Sequence, residues 1–168
     1  MHFEIVHELD APLDAVELAV LSPDLFAKLK ERLTNMEDVK QKEHHLEGGI
    51  LHRVWAYQAT VRVPVFAKKV VTREMLSWDE ESTYDLKAHE AEWSVSPNVK
   101  PEWKKYFQAE GRYKLVPNGG GRTKRMVEGE ITLRVPVVQK MGERAILAEV
   151  RRMFDAEAET LREMATLV

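Results

Sequence analysis

Residues 140–168, KMGERAILAEVRRMFDAEAETLREMATLV, decide the fold. The stretch has no proline, and its single glycine, Gly142, stands near its start. Apolar side chains recur at Ala145, Ile146, Val150, Met153, Phe154, Ala158, Leu161, Met164, Ala165 and Val168. Steps of mostly three and four residues put them on one helical face. Glu149, Arg151, Arg152, Asp155, Glu159, Arg162 and Glu163 take the other. The spacing predicts one amphipathic helix, about 40 Å long at 1.5 Å per residue. Such a stripe needs a broad apolar surface to cover it. Either the helix simply packs on a sheet, or helix and sheet do not quite close and a ligand fills the gap.

The covering surface lies upstream. From Met36 to Leu133 the hydrophobic period is two, and segments 37–46, 50–61, 70–79, 83–95, 102–116 and 122–135 read as strands. Gly48-Gly49, the run Glu80-Glu81-Ser82, and PNGGG at 117–121 read as turns. Pro64 marks 62–69 as a connection, and Pro97, Asn98 and Pro101 bracket a loop. A slip of face between Leu86 and Trp93 reads as a bulge. Alternation turns three sets inward: Leu51, Trp55, Tyr57, Ala59 and Val61; Trp103, Phe107, Ala109, Gly111, Tyr113 and Leu115; Val127, Gly129, Ile131, Leu133 and Val135.

Residues 2–9 alternate as well, with Phe3, Ile5, His7 and Leu9 on one side. Asp10 then reads as the cap of a helix with Pro12 in its first turn. Ser22-Pro23 repeats the signal for a second helix, with Leu25, Phe26, Leu29 and Leu33 on its apolar face. The order is strand, two helices, six strands, long helix. Short turns pair consecutive strands antiparallel, and only one sheet face is apolar. The expected class is α+β: a curved seven-stranded antiparallel sheet with the long helix across its concave face and two short helices plugging one end. No repeat or linker interrupts the 168 residues, so a single domain over 1–168 is expected.

The totals exclude several functions. A net charge of -3 sets up no field for nucleic acid. The absence of cysteine removes disulfides and thiolate metal sites. The opening MHFEIVHELD has acids where a signal peptide needs a basic and then an apolar run. No apolar run approaches the ~18–20 residues that span a bilayer. A soluble, cytoplasmic protein without a transmembrane segment is expected.

With its opening strand running into DAPLDAV, its Ser22-Pro23 helix and its ending EGEITLRVPVVQKMGERAILAEVRRMF, the chain resembles the START-like (SRPBCC, helix-grip) superfamily. It is most similar to the polyketide-cyclase and lipid-transport branch, and to an uncharacterised bacterial family within it. The resemblance covers essentially the whole chain. It implies a hydrophobic cavity between sheet and long helix, holding a lipid, sterol, polyketide or hormone. It implies no shared catalytic residues and no cofactor.

The candidate cavity-lining residues are His7, Trp55, Tyr57, Trp78, Trp93, Phe107, Tyr113, Ile131, Val150, Met153, Phe154 and Leu161. Ligand cavities are mostly apolar and aromatic with a few polar groups, and plain core packing is the competing reading for each. Met75, Met126, Met141, Met153 and Met164 are pliable gap fillers that also suit varied ligands. Gly111 and Gly129 leave room over the sheet or allow it to bend. His7 is either an orienting donor or acid–base group, or a satisfied core histidine. Arg53, on the face of Trp55 and Tyr57, either binds the head of an acidic lipid or sits in water at a strand end; water is favoured. Lys104, Lys105, Arg112, Lys114, Arg122, Lys124 and Arg125 form either a basic end that steers the protein to anionic lipid or a solvated face.

His44 and His45 are adjacent and point to opposite faces of a strand, so they cannot share a metal. His89 and Glu90 meet the same objection. No catalytic motif is present, and no metal site is expected.

The expected function is binding or transport of a hydrophobic small molecule, with a lipid favoured, and with transient contact to a membrane surface. A cyclase- or dehydrase-type enzyme and a regulatory module without a large cavity are the alternatives. Segments 62–69 and 95–101 are the expected gates.

Overall fold

The computed structural model describes residues 1–60, 65, 69, 71–136 and 138–167. Its seven strands are β1 (His2–Leu9), β2 (Met36–Glu47), β3 (Ile50–Ala59), β4 (Ser77–Asp85), β5 (Glu90–Pro97), β6 (Phe107–Pro117) and β7 (Thr123–Leu133). The helices are α1 (Leu13–Leu21), α2 (Leu25–Lys30) and α3 (Gln139–Ala165). The strands form one antiparallel sheet in the order β1-β7-β6-β5-β4-β3-β2. The expected α+β helix-grip architecture is present: a curved sheet, two short helices after the first strand, and a long C-terminal helix across the concave face.

The order explains the tandem helices. β1 and β2 are opposite edges of the sheet, so the chain between them crosses six strand spacings, about 29 Å if the sheet were flat. α1 and α2 make that crossing and bury Val16, Val20, Leu25 and Leu29 against the core. Pro12, not Asp10, is the residue before the first turn of α1, and no side chain caps that end. At α2 the Ser22 hydroxyl accepts the Asp24 N–H at 3.2 Å, and Asp24 stands at the N-cap.

Three strand boundaries differ from the reading of the sequence. Glu80, Glu81 and Ser82 do not turn; they lie inside β4, which begins after a 3-10 turn at Glu74–Leu76. The hairpin begins six residues later, at 86–89, where His89 takes φ +56°. The slip between Leu86 and Trp93 is therefore the β4–β5 turn and not a bulge. Trp103 is not an inward strand residue. It belongs to a 3-10 helix, Pro101–Tyr106, and is 51% exposed. Val61 and most of 62–69 lie outside the described residues, as does Val168.

Two glycines do a specific packing job. Gly111 and Gly129 face each other across β6 and β7. A Cβ on Gly129 would stand 2.6 Å from Trp93 Cζ2 and 2.8 Å from Phe3 Cε1. One on Gly111 would stand 2.1 Å from the Glu128 carbonyl oxygen. The room they leave on the concave face is filled by the Trp93 and Phe3 rings. Gly129→Ala is expected to lower stability by about 2 kcal/mol through overpacking, read as a lower urea midpoint with unchanged slope. An unchanged midpoint would mean that the aromatic pair moves aside freely.

α3 runs along β7 in the opposite sense. At its start the Leu133 N–H donates to Glu143 Oε1 at 3.2 Å, where β7 ends. Gly142 lets the helix approach, since a Cβ there would meet Leu133 Cδ2 at 2.4 Å. Near its end Arg162 Nη2 donates to the Glu8 carbonyl at 2.7 Å. The two halves of the helix are covered differently. Phe154, Ala158, Leu161 and Ala165 are buried, whereas Ile146, Leu147, Val150 and Met153 are only half-buried and Ala145 is exposed. Among the described residues no helix is long and apolar enough to cross a membrane.

Candidate functional site

The concave face holds charge at its centre. Arg53 is on β3, in the inward row of Leu51, Trp55 and Tyr57. Arg125 is on β7, in the inward row of Thr123, Val127 and Ile131. Glu157 lies on α3 between Phe154 and Leu161, on the covered side of the helix. Arg53 is 4% exposed, Glu157 4% and Arg125 0%. Arg53 Nη2 reaches Glu157 Oε1 at 3.0 Å, and Arg125 Nη2 reaches Oε2 at 2.6 Å. One carboxylate thus bridges two buried guanidinium groups. Burial alone would push the Glu157 carboxyl up, but Arg125 and Arg53 outweigh it and hold it below the ordinary carboxylate range.

The surrounding groups fix the two arginines. Arg53 Nε donates to Ser82 Oγ at 2.9 Å, and its guanidinium lies 4.0 Å from the centre of the Trp55 ring. Trp55 is itself set by Phe26, at 5.1 Å between ring centres, and by an indole N–H donated to Gln41 at 3.2 Å. The Arg125 guanidinium stands 4.5 Å over Tyr113 and 5.3 Å from Phe154. Stacked, desolvated cations of this kind gain from the ring faces as well as from the carboxylate. Glu80 on β4 points to the same face, is half-buried, and titrates at about 7. Burial is the first cause and the nearby Glu157 charge the second; Arg53 and Arg125 pull the other way.

Among the described residues, four buried polar atoms in this region have no hydrogen-bond partner: His7 Nδ1, Trp93 Nε1, Tyr113 Oη and Arg125 Nε. Their residues are contiguous. His7 is opposite Arg125 across β1 and β7, Tyr113 lies under Arg125, and Trp93 packs edge-on against Phe154 at 5.4 Å. Buried polar groups are normally satisfied, so a cluster of orphans marks a place where something polar belongs. His7 Nε2 is bonded to Asp155 Oδ1 at 2.8 Å. Burial is the main reason that the His7 imidazole titrates below its ordinary value, with Arg125 adding to it and Asp155 opposing it. Burial also raises the Tyr113 phenol to about 12, so it is a donor at neutral pH.

The candidate lining residues fall into three groups. His7, Trp93, Tyr113 and Phe154 surround the Arg125–Glu157 pair, and Trp55 covers Arg53. Tyr57 and Trp78 stack at 5.5 Å at the other end of the face, and Trp78, Phe107, Val150 and Met153 are half-buried there. Ile131 and Leu161 are sealed in the core at 0% exposure. Met75, Met126 and Met141 are exposed, while Met153 and Met164 are half-buried against the core.

Sequence reasoning placed two cations wrongly. Arg53 does not sit in water, because Glu157 and Ser82 satisfy it inside. Arg125 belongs to no basic surface. The rest of that basic group is also dispersed: Arg112 pairs with Glu128, Lys114 approaches Glu90 at 3.9 Å, and Lys104 and Lys105 lie at the far end from Arg122 and Lys124. Glu157 and Glu80 were missed. The signal for Glu157 was its place three residues after Phe154 and four before Leu161, which is a core position occupied by an acid.

His89, in the β4–β5 turn, contacts Glu17 Oε1 at 2.5 Å, and the Tyr84 hydroxyl donates to the same oxygen at 2.6 Å. That network ties α1 to the hairpin. Among the described residues no group of three His, Cys, Asp or Glu side chains is placed to hold a metal ion. An open groove of about 690 Å³ lies on the outer face of the sheet, where Glu81, Glu92, Glu110, Glu128 and Glu130 surround Arg112.

No curated protein matches the chain in sequence. Solved structures match it in fold. An aromatase/cyclase from Streptomyces sp. R1128 superposes with a TM-score of 0.63 at 15% identity, covering 99% of this chain and 93% of that one. Norcoclaurine synthase from Thalictrum flavum gives 0.59 at 17% identity, covering 95% and 86%. A START superfamily protein from Mycobacterium smegmatis gives 0.58 at 12% identity, covering 97% and 98%. The fold is therefore START-like. Residues 4–164 match the model of the family described as "Protein of unknown function (DUF2505)", and the chain belongs to that family.

Proposed function

We propose that this protein, acting as a single domain over residues 1–168, binds a hydrophobic small molecule of lipid type between the first half of α3 and the concave face of the sheet. The observation that carries the reading is the unequal cover of α3. Its second half is sealed, but Ile146, Val150 and Met153 above, and Trp78, Val95 and Phe107 below, stay half-buried at one end. Apolar side chains in that state gain roughly 25 cal/mol for each Å² that a ligand removes from water. The buried charges beyond them supply the few polar groups that orient a ligand. The fold of the neighbours agrees, since an aromatase/cyclase and norcoclaurine synthase are named for work on small organic molecules.

The same end of the molecule has an exposed rim suited to brief contact with a membrane surface. Trp103 is 51% and Met141 62% exposed, and the exposed Lys104, Lys105, Arg134 and Lys140 flank them. Aromatic and basic groups together favour an anionic interface. Protein purified from its own host is expected to carry extractable apolar material in native mass spectrometry, and to enhance Nile red emission once stripped. A bare native spectrum together with no enhancement would overturn the reading.

A further inference from the structure

We infer that the Arg53–Glu157–Arg125 cluster, with Tyr113, is the anchor for the carboxylate head of an apolar carboxylic acid. The inference rests on the binding function proposed above and names its ligand class.

The donor count at the cluster is the first argument. Glu157 is a single carboxylate shared by two guanidinium groups, and both of its oxygens are already engaged. Three N–H or O–H donors remain with no acceptor: Arg125 Nε, Tyr113 Oη and Trp93 Nε1. Arg125 Nε and Trp93 Nε1 can only donate, whereas Tyr113 Oη and His7 Nδ1, beside them, can play either role. What the region lacks is acceptor oxygens, and a carboxylate brings two. An amine or ammonium head would add donors to a place already in surplus.

Charge is the second argument. With Glu80 protonated, Arg53 and Arg125 carry two positive charges against the one negative charge of Glu157. An anion of one charge completes the balance, and charge-assisted bonds to it are the strong kind. Position agrees with donors and charge. Glu80, Ser82, Arg53 and Tyr113 continue the inward rows of the same strands that carry the buried Tyr57 and the half-buried Trp78 and Phe107. An apolar tail at the half-open end and a head at the cluster would lie along one face.

The anchor has a built-in pH response. The groups acting on Glu80 are Glu157 from α3, Arg53 from β3 and Arg125 from β7, and it acts in turn on Tyr57 and Tyr113. His7 on β1 and His44 on β2 complete the titratable groups around the arginines. As Glu80 ionises near pH 7, the cluster loses its spare positive charge. The affinity for an anion then falls, and bound anion in turn holds Glu80 protonated.

The test compares dodecanoate with dodecanol, by competition against Nile red and by calorimetry, on the stripped protein at pH 6 and pH 8.5. Dodecanoate is expected to bind about tenfold or more tighter than dodecanol at pH 6. That preference is expected to shrink at pH 8.5, and to persist there in Glu80→Gln. Tyr113→Phe removes a hydroxyl that bonds to nothing among the described residues, so it should fold normally; its acid-over-alcohol ratio is expected to drop several-fold. Equal affinity for the two, or a ratio that Tyr113→Phe leaves alone, overturns the anchor while hydrophobic binding stands. Binding of neither probe overturns the anchor and the binding function together.

Discussion

Glu157→Gln is expected to cost about 3–5 kcal/mol of folding stability at pH 7, the range found when one partner of a buried ion pair is removed. The substitution keeps the shape and one acceptor oxygen but deletes the charge that two sealed guanidinium groups share. Neither arginine can turn to water, because Arg125 is fully buried and Arg53 is held by Ser82 and Trp55. Urea unfolding followed by tryptophan fluorescence measures the loss. A companion variant separates charge from packing. Replacing Arg53 and Arg125 by Met together with Glu157 by Leu is expected to recover most of the stability, since apolar side chains of similar volume often replace buried ion clusters without loss. A Glu157→Gln protein within about 1 kcal/mol of the parent would show that water reaches the cluster freely. Glu157 also sets an acid limit. Its folded pKa is depressed, so its contribution is present above the unfolded value and disappears as pH falls through the folded one.

The cost of such a cluster bears on function. Burying two arginines and a glutamate adds little net stability over an apolar core. A fold that only needed to close could place Met or Leu at 53, 125 and 157. The cluster sits instead where the orphan donors gather, which is what a ligand anchor requires and what a sealed core avoids. Such an anchor would restrain a head group while leaving the tail end tolerant, because the half-buried Met153, Val150 and Trp78 can accommodate different shapes.

The legible part of this structure was the part written in hydrophobic period. The α3 stripe, the alternation of β3, β6 and β7, and the Gly48-Gly49 and PNGGG turns all appear close to where the spacing puts them. β4 was harder because its residues Asp79, Glu80 and Glu81 look like a turn by composition. Their true setting is a strand whose inward row runs Trp78, Glu80, Ser82, Tyr84, with two polar members facing Arg53 and its neighbours. Trp103 failed for the converse reason: alternation continues by chance through a 3-10 helix, and the bulky side chain ends in solvent. The ion cluster was half written. Arg53 and Arg125 occupy inward parity and Glu157 a core helical position, but no local rule joins residues separated by 32 to 104 positions. Only the paired need of buried charges for each other connects them.

The same cluster leads to the second large effect, at Glu80. Its carboxyl titrates at about 7 in the fold against roughly 4.5 in an unfolded chain. Between those values the folded protein holds a proton that the unfolded chain has released, so stability falls as pH rises across the window and levels off above it. A gap of that size corresponds to a cost on the order of 3 kcal/mol once Glu80 is fully ionised. Glu80→Gln keeps a neutral side chain of the same shape at every pH. It is therefore expected to match the parent near pH 4.5 and to exceed it by up to about 3 kcal/mol at pH 8. The His7 imidazole, lowered by burial, adds a pH dependence of its own, so the difference between parent and variant is the quantity to follow, not the parent curve alone. Two curves that run parallel from pH 4.5 to pH 8 would place Glu80 in water and remove the pH response inferred for the anchor. A widening gap would show that the protein keeps, at a cost in stability, an acid that loses its proton near neutrality beside two arginines. That is the property expected of a group that helps to release an anion.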